Sequence, residues 1–277
     1  METLDLVIKI GSMALIRKND NDIDYNILSR LSSELKPGIV LVSSGATEIW
    51  RLDYIKRTGR ELAGEKDSVI TDYASQGQAI LMSQYRQFIN PEYSVRQLLV
   101  EHIHFNDPIK REHIRNLLFR SAEQGAVMII NYNDPVSAEE NRKLELSALR
   151  DNMDEVVECV DNDETAAVIA NLVNAKTLLI LSSTEGIYRD VEDAATLVES
   201  VSGADADELE TRIRELQTSC IGASRAGARG AWAKLEYIIP AARRGTTIII
   251  GHSRHRVADL VSGAAPCTRI TMQQHEW

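Results

Sequence analysis

Short, largely apolar runs recur along this chain, separated by helix-length stretches, and that alternation limits the fold more than any other feature. The runs are LVIKI at 6–10, IVLV at 39–42, AVMII at 126–130, LLIL at 178–181 and TTIII at 246–250. None alternates apolar with polar residues, so each reads as a strand covered on both faces, the pattern of a parallel sheet. Between them, Ile27, Leu28, Leu31 and Leu35 fall at helical spacing before the stop Pro37-Gly38. Helices are expected over 71–88, 111–124 (ended by Gly125), 165–173, 205–217, 231–242 and 257–261, with a further strand over 95–100. Strands alternating with helices imply right-handed crossovers and an α/β fold, a mainly parallel sheet with helices on both faces. No low-complexity linker or repeat divides residues 1–277, so one continuous unit is expected. The acidic stretch 137–160 is too long for an ordinary connection and reads as either a lid or a solvated or partner-facing excursion, the latter slightly favoured.

Within the first strand a lysine, Lys9, interrupts the apolar run just before Gly11 and Ser12. On an edge strand such a lysine packs its stem and sends its ammonium to water. At the C-terminal end of a strand in an open α/β sheet, it faces the crevice where ligands bind. Three other expected strand ends are polar or glycine-bearing: Ser43-Ser44-Gly45-Ala46, Asn131-Tyr132-Asn133-Asp134 and Ser182-Ser183-Thr184-Glu185-Gly186. In a parallel sheet these ends share one edge with Lys9. Glycine there lets backbone amides approach an anion, and a following helix N-terminus adds a favourable dipole.

Asp161-Asn162-Asp163-Glu164 precedes an apolar helical segment. Asp161 as N-cap with Glu164 completing a capping box explains part of it. The remaining carboxylates, with Asp134, suit an amino group or a lysine at the crevice. Lys234 follows the small-residue stretch 222–230, which carries Arg225 and Arg229 and reads equally as a phosphate loop or a flexible surface loop.

Composition narrows the partners. A net charge of −10 and 5% aromatic residues leave neither a basic footprint nor stacking platforms, which argues against nucleic acid and against an anionic membrane. The cysteines Cys159, Cys220 and Cys267 are far apart and read as reduced thiols. The N-terminus lacks a signal-peptide pattern, and the apolar runs are too short to span a bilayer, so a cytoplasmic location is expected. No HExxH or similar histidine spacing supports a metal site in the chain itself. No GxxxxGK[ST], GxGxxG or GxSxG occurs.

The segments VIKIGS, LVSSGA, ASQGQAILMSQY, IINYNDPVS, VDNDETAAVIANLV, LLILSSTEGIY and WAK, in that order, resemble the amino-acid kinase family, most closely its glutamate 5-kinases. The resemblance implies the αβα sandwich of that family and of carbamate kinases, with a largely parallel sheet of about eight strands. It implies transfer of the γ-phosphoryl group of ATP, with Mg²⁺, to a carboxylate of a small amino acid, giving an acyl phosphate. By that likeness Lys9 and Lys234 act on the transferring phosphoryl and Asp163 orients them. Ser44, Gly45, Asn133, Asp134, Asp161 and Asn162 hold the acceptor. Gly11, Ser12, Ser182, Ser183, Gly186, Tyr188 and Gly230 hold the nucleotide. A homo-oligomer is implied too.

The chain also departs from the family pattern. Tyr132 replaces a glutamate, Ser182-Ser183 replaces Thr-Asp, Ala228-Arg229-Gly230-Ala231 replaces a glycine-rich TGGM, and 137–160 is longer than usual. The C-terminal RNA-binding-type domain of many bacterial relatives is not in this sequence. Three functions therefore stand side by side: a glutamate 5-kinase-like enzyme of proline biosynthesis, a kinase of another small acceptor (amino acid, phosphonate or nucleoside monophosphate), and a non-catalytic nucleotide- or amino-acid-binding regulator. Lys9, Lys234 and Asp134 speak against the regulator, and Asp134 with the Asp161–Asp163 cluster favours an amino-acid acceptor over a nucleotide.

Overall fold

A computed structural model describes residues 2–17, 19–137, 139–153, 155–190, 192–221 and 226–273, with backbone alone for 139–141, 220–221 and 226–229. The first half runs β1 (Leu6–Ile10), a small hairpin of β2 (Ile16–Arg17) and β3 (Asp22–Ile23), α1 (Tyr25–Glu34), β4 (Ile39–Ser43), α2 (Ala46–Thr58), α3 (Lys66–Phe88), β5 (Ser94–Val100), α4 (His102–Asn106), α5 (Pro108–Glu123) and β6 (Ala126–Tyr132). The second half runs α6 (Glu139–Arg150), α7 (Asn162–Leu172), β7 (Thr177–Ser182), β8 (Ser200–Gly203), α8 (Ala206–Ile221), α9 (Ala226–Arg243), β9 (Thr247–His252), α10 (Val257–Ser262) and β10 (Cys267–Met272).

Eight strands form one sheet in the order β5-β6-β4-β1-β7-β9-β10-β8. All neighbours are parallel except β9 and β10. The expected α/β sandwich is therefore the observed one. Period-two alternation sorts the buried strand residues onto two faces. Val7, Val42, Ile130, Ile180 and Ile250 pack against α5, α7, α8 and α9, in a core holding Leu118, Ala166, Ile213 and Leu235. Leu6, Ile8, Ile10, Leu41, Ile129, Leu181 and Ile249 pack on the other face with Leu28, Ile49, Leu81 and Leu260 from α1, α2, α3 and α10.

Several elements differ from the sequence expectation. Helix α3 begins at Lys66 rather than 71, and α9 begins at Ala226, so residues 226–230 are helical rather than a loop; 222–225 lie outside the described residues. Helix α2 and strands β8 and β10 had no expected counterpart. In α2 only Ala46, Ile49 and Leu52 are buried among charged neighbours, too sparse a stripe to read. Strands β8 and β10 alternate small, polar and apolar residues near a sheet edge.

The stretch 137–160 is not simply solvated. Helix α6 buries Leu146, Glu145 Oε2 lies 3.1 Å from Nε2 of the buried His102, and Asn106 clasps the Val157 backbone through two hydrogen bonds of 2.8 and 2.9 Å. Cys159, next along, is fully buried, and Leu144 on the outer side is exposed. Among the described residues no helix is long and apolar enough to cross a membrane.

Candidate active site

The four polar strand ends belong to β6, β4, β1 and β7, which are consecutive in the sheet and parallel, so their C-terminal ends open on one edge. Lys9 sits on the innermost of them, in register with Val42 of β4 and Ile180 of β7. It shares a face with Val7, the face covered by α7 and α9. With 3% exposure Lys9 does not snorkel; its Nζ meets Asp163 Oδ1 at 2.7 Å. Burying a charge is tolerated when it is paired, and the pairing fixes where the ammonium points. The turn after β1 borders it: a side chain on Gly11 would first meet Lys9 Nζ, at 3.5 Å.

Lys234 reaches the same place from α9. Burial pulls its ammonium below the ordinary lysine value, Asp163 raises it and Lys9 lowers it further, so the two lysines flank one carboxylate. Asp161 also acts on both lysines, so two cations and two carboxylates converge here.

Asp161, Asn162 and Asp163 begin α7. Asp161 caps it, accepting from Glu164 N at 2.9 Å, and Glu164 Oε2 accepts from Val160 N at 3.0 Å, one residue before the cap. The expected reciprocal box is thus shifted by one position. Burial is the main cause of the raised pKa of Asp161, with Asp163 adding to it. Asn162 Oδ1 accepts from Tyr132 N at 2.8 Å, tying the start of α7 to the end of β6.

Beside this group lies a cleft of about 280 Å³ lined by Ser12, Ser44, Gly45, Ala46, Thr47, Glu48, Gln78, Asn131, Asp134 and Asn162. Its walls are positioned from below. Ser44 N donates to Ile10 O at 3.0 Å, and Gly45, at φ 105°, turns the chain from β4 into α2 in a conformation that side chains resist. Asn131 Nδ2 donates to Ser43 O, and Asn133 Nδ2 donates to Glu101 Oε1 at 2.8 Å. Glu48 is gripped by Arg51 through two bonds, Nε to Oε2 at 2.9 Å and Nη2 to Oε1 at 2.8 Å. Burial pushes Asp134 up to about 6, with Asp161 pushing the same way and Arg142 of α6 opposing.

Of the sequence-named acceptor residues, Ser44, Gly45, Asp134 and Asn162 line the cleft, and Asp161 stands beside it on α7. Asn133 points instead to Glu101. Tyr132 is fully buried and meets the Ser137 hydroxyl at 2.5 Å, so it fills core rather than cleft. Of the nucleotide residues, Ser12 lines the same cleft and Gly11 borders Lys9. Ser182 ends β7, and its carbonyl accepts from Ser253 N at 2.9 Å. Gly186 packs under β10, where an added Cβ would stand 2.4 Å from Thr268 Oγ1. Tyr188 bridges to Leu197, and Gly230 is exposed within α9, where an added Cβ would have no described atom within 4 Å.

Sequence reasoning missed Thr47, Glu48 and Gln78, polar helix residues that look solvent-facing. One signal was present: Gly77 in the middle of α3. A Cβ on Gly77 would stand 1.9 Å from Ala46 O, so α3 meets the start of α2 at backbone contact, which brings Gln78 into the cleft.

The chain matches the amino acid kinase family over residues 6–252. It is 32% identical over 212 residues to a glutamate 5-kinase of Alkaliphilus metalliredigens, covering 72% of each chain. To a glutamate 5-kinase of Alkaliphilus oremlandii it is 30% identical over 262 residues, 91% of this chain and 89% of that one. Among solved structures, carbamate kinase from Giardia lamblia bound to AMP-PNP superposes with a TM-score of 0.60 at 14% identity, covering 98% of this chain and 99% of that one. UMP kinase from Ureaplasma parvum does so with a TM-score of 0.52 at 14% identity, covering 98% and 100%. The structural likenesses show a shared fold and the family match shows descent: the chain belongs to the amino acid kinase family.

Proposed function

We propose that this protein transfers the γ-phosphoryl group of ATP to the side-chain carboxylate of glutamate, giving an acyl phosphate and ADP. The observation that carries this reading is the buried Lys9–Asp163 pair, with Lys234 beside it, at the rim of a small polar cleft. A carboxylate is already anionic near neutral pH, so the reaction needs no general base. Its oxygen forms a bond to the γ-phosphorus as the bond from phosphorus to the bridging oxygen of ADP breaks, and the electron pair leaves with ADP. What the protein must supply is alignment and neutralisation of charge on the transferring group. Lys9 and Lys234 fit that task, and Asp163 sets their direction.

Asp134 and Asp161 give the amino group of the acceptor two carboxylate neighbours, and Asn162 and Ser44 give it polar contacts. That preference for an amino-acid acceptor, with the glutamate 5-kinase relatives at about 30% identity, supports glutamate. Among the described residues no group of three or more His, Cys, Asp or Glu could hold a metal ion. Magnesium would accordingly be carried by the nucleotide phosphates, as is usual for this small, strongly hydrated ion, and would neutralise phosphate charge there.

ATP-dependent hydroxamate formation with hydroxylamine tests the proposal, because only an acyl phosphate gives the coloured product. A signal with glutamate, and much less with aspartate or N-acetylglutamate, is expected. ADP release with another acceptor and no hydroxamate would replace glutamate. ATP binding with no turnover at all would make the protein a regulator.

A further inference from the structure

We infer that Gln78, together with the start of α2, forms the seat for the second, non-reacting carboxylate of the acceptor; the inference rests on the proposed reaction and deepens it. Gln78 is only 7% exposed, yet among the described residues its buried Nε2 has no hydrogen-bond partner. Its other end is anchored, since Oε1 accepts from Gln97 Nε2 at 2.8 Å. The side-chain amide is therefore held by one atom, and its unsatisfied N–H₂ is a donor on a residue that lines the cleft. A buried donor left unsatisfied costs about 1–3 kcal/mol, a cost a ligand oxygen would remove.

The wall beside Gln78 points the same way. Helix α2 spans thirteen residues from Ala46 to Thr58, and no side chain caps its N-terminus, where Gly45 occupies the cap position. Ala46, Thr47 and Glu48, its first turn, line the cleft. The first amides of a helix lack intrahelical acceptors and carry the positive end of its dipole, which suits an anion. Gly77 makes the two donors neighbours by letting α3 touch the Ala46 backbone. Arg51 binds both oxygens of Glu48 and is shared with Glu61, so it offsets the Glu48 charge in part.

The cleft then has distinct addresses: Asp134 for an ammonium, the Gln78 and α2 donors for a carboxylate, and the Lys9 side for the carboxylate that is phosphorylated. A bifunctional amino acid fits all three.

The test compares glutamate with 4-aminobutyrate, the same chain without the second carboxylate, in the hydroxamate assay, alongside calorimetric glutamate binding. Gln78→Leu removes the donor at similar volume. It should raise the KM for glutamate about tenfold or more, the effect of losing a hydrogen bond to a charged group, while kcat changes far less. The preference for glutamate over 4-aminobutyrate should fall by the same factor. Gln78→Glu, which keeps an oxygen for Gln97, should fall further and covers the case in which the leucine variant does not fold. Equal losses on the two substrates, or none, would overturn the seat while leaving the kinase reading in place. If the native protein forms no hydroxamate but binds glutamate, and Gln78→Leu weakens that binding tenfold, the seat stands and the reaction fails. If it neither turns over nor binds glutamate, both fall.

Discussion

The two halves of the sheet edge are finished differently. On the side of β6, β4 and β1, polar groups are braced from behind and keep a buried atom unpartnered among the described residues: Asn131 Nδ2 is spent on Ser43 O while its Oδ1 has no donor, and Gln78 is held by Gln97 while its Nε2 has no acceptor. On the side of β7 and β9, polar groups satisfy one another. Glu185 binds Arg254 and, at 2.6 Å, His255 Nε2; Ser253 N meets Ser182 O; Ile187 N donates to Thr268 Oγ1 at 2.8 Å. The first side keeps polar groups in reserve around the cleft, and the second is closed upon itself. The departures from the family pattern fall on both sides: Tyr132 and the stretch 137–160 follow the first, Ser182-Ser183 the second.

The sharpest way to break this contrast is at Lys9, which belongs to the braced side. Lys9→Met should lower kcat by roughly 10²-fold or more, the scale seen when one preorganised donor to transition-state charge is removed. Circular dichroism should show the fold retained; an unchanged kcat would take Lys9 out of the chemistry.

Next in size is acidity. Asp134 sits at about 6 because it is buried, so its neutral form predominates below that pH. A neutral Asp134 cannot attract an ammonium, so kcat/KM for glutamate should fall about tenfold per unit below pH 6. Arg142 and Asp161, the charged groups that act on Asp134, oppose one another. Saturating glutamate should hold the carboxylate ionised, leaving kcat nearly flat over the same range. A kcat/KM profile level down to pH 5 would remove Asp134 from amino-group binding.

A smaller effect is expected on the closed side. Glu185→Gln breaks the charged clasp on Arg254 and His255 without altering shape. We expect the KM for ATP to shift about threefold in either direction, with the KM for glutamate unmoved, the modest scale of a partly exposed ion pair. A tenfold change in the glutamate KM would show that the halves are coupled.

Much of the braced side could be read from sequence, because polar residues at the ends of apolar strands violate the expected pattern and so stand out: Lys9 after Ile8, Ser43 after Val42, Asn131 after Ile130. What escaped reading lies on helices, where a polar residue breaks no rule. Gln78 and Glu48 look like any solvent-facing positions until tertiary packing turns them inward. Strand β10 escaped for a related reason, since its antiparallel pairing with β9 follows a short helix rather than a hairpin turn.

Two helical glycines, Gly77 and Gly230, carry a warning for anyone who would stabilise this protein. Replacing glycine by alanine inside a helix usually gains about 1 kcal/mol, and at Gly230, exposed and with no described atom in the way of a methyl group, the gain should be realised. At Gly77 the same change would drive a methyl group into the Ala46 carbonyl and prise apart the helices that form one wall of the cleft. A tougher protein and a blunted one would thus come from the same substitution, made at two glycines that a helix-propensity scale scores identically.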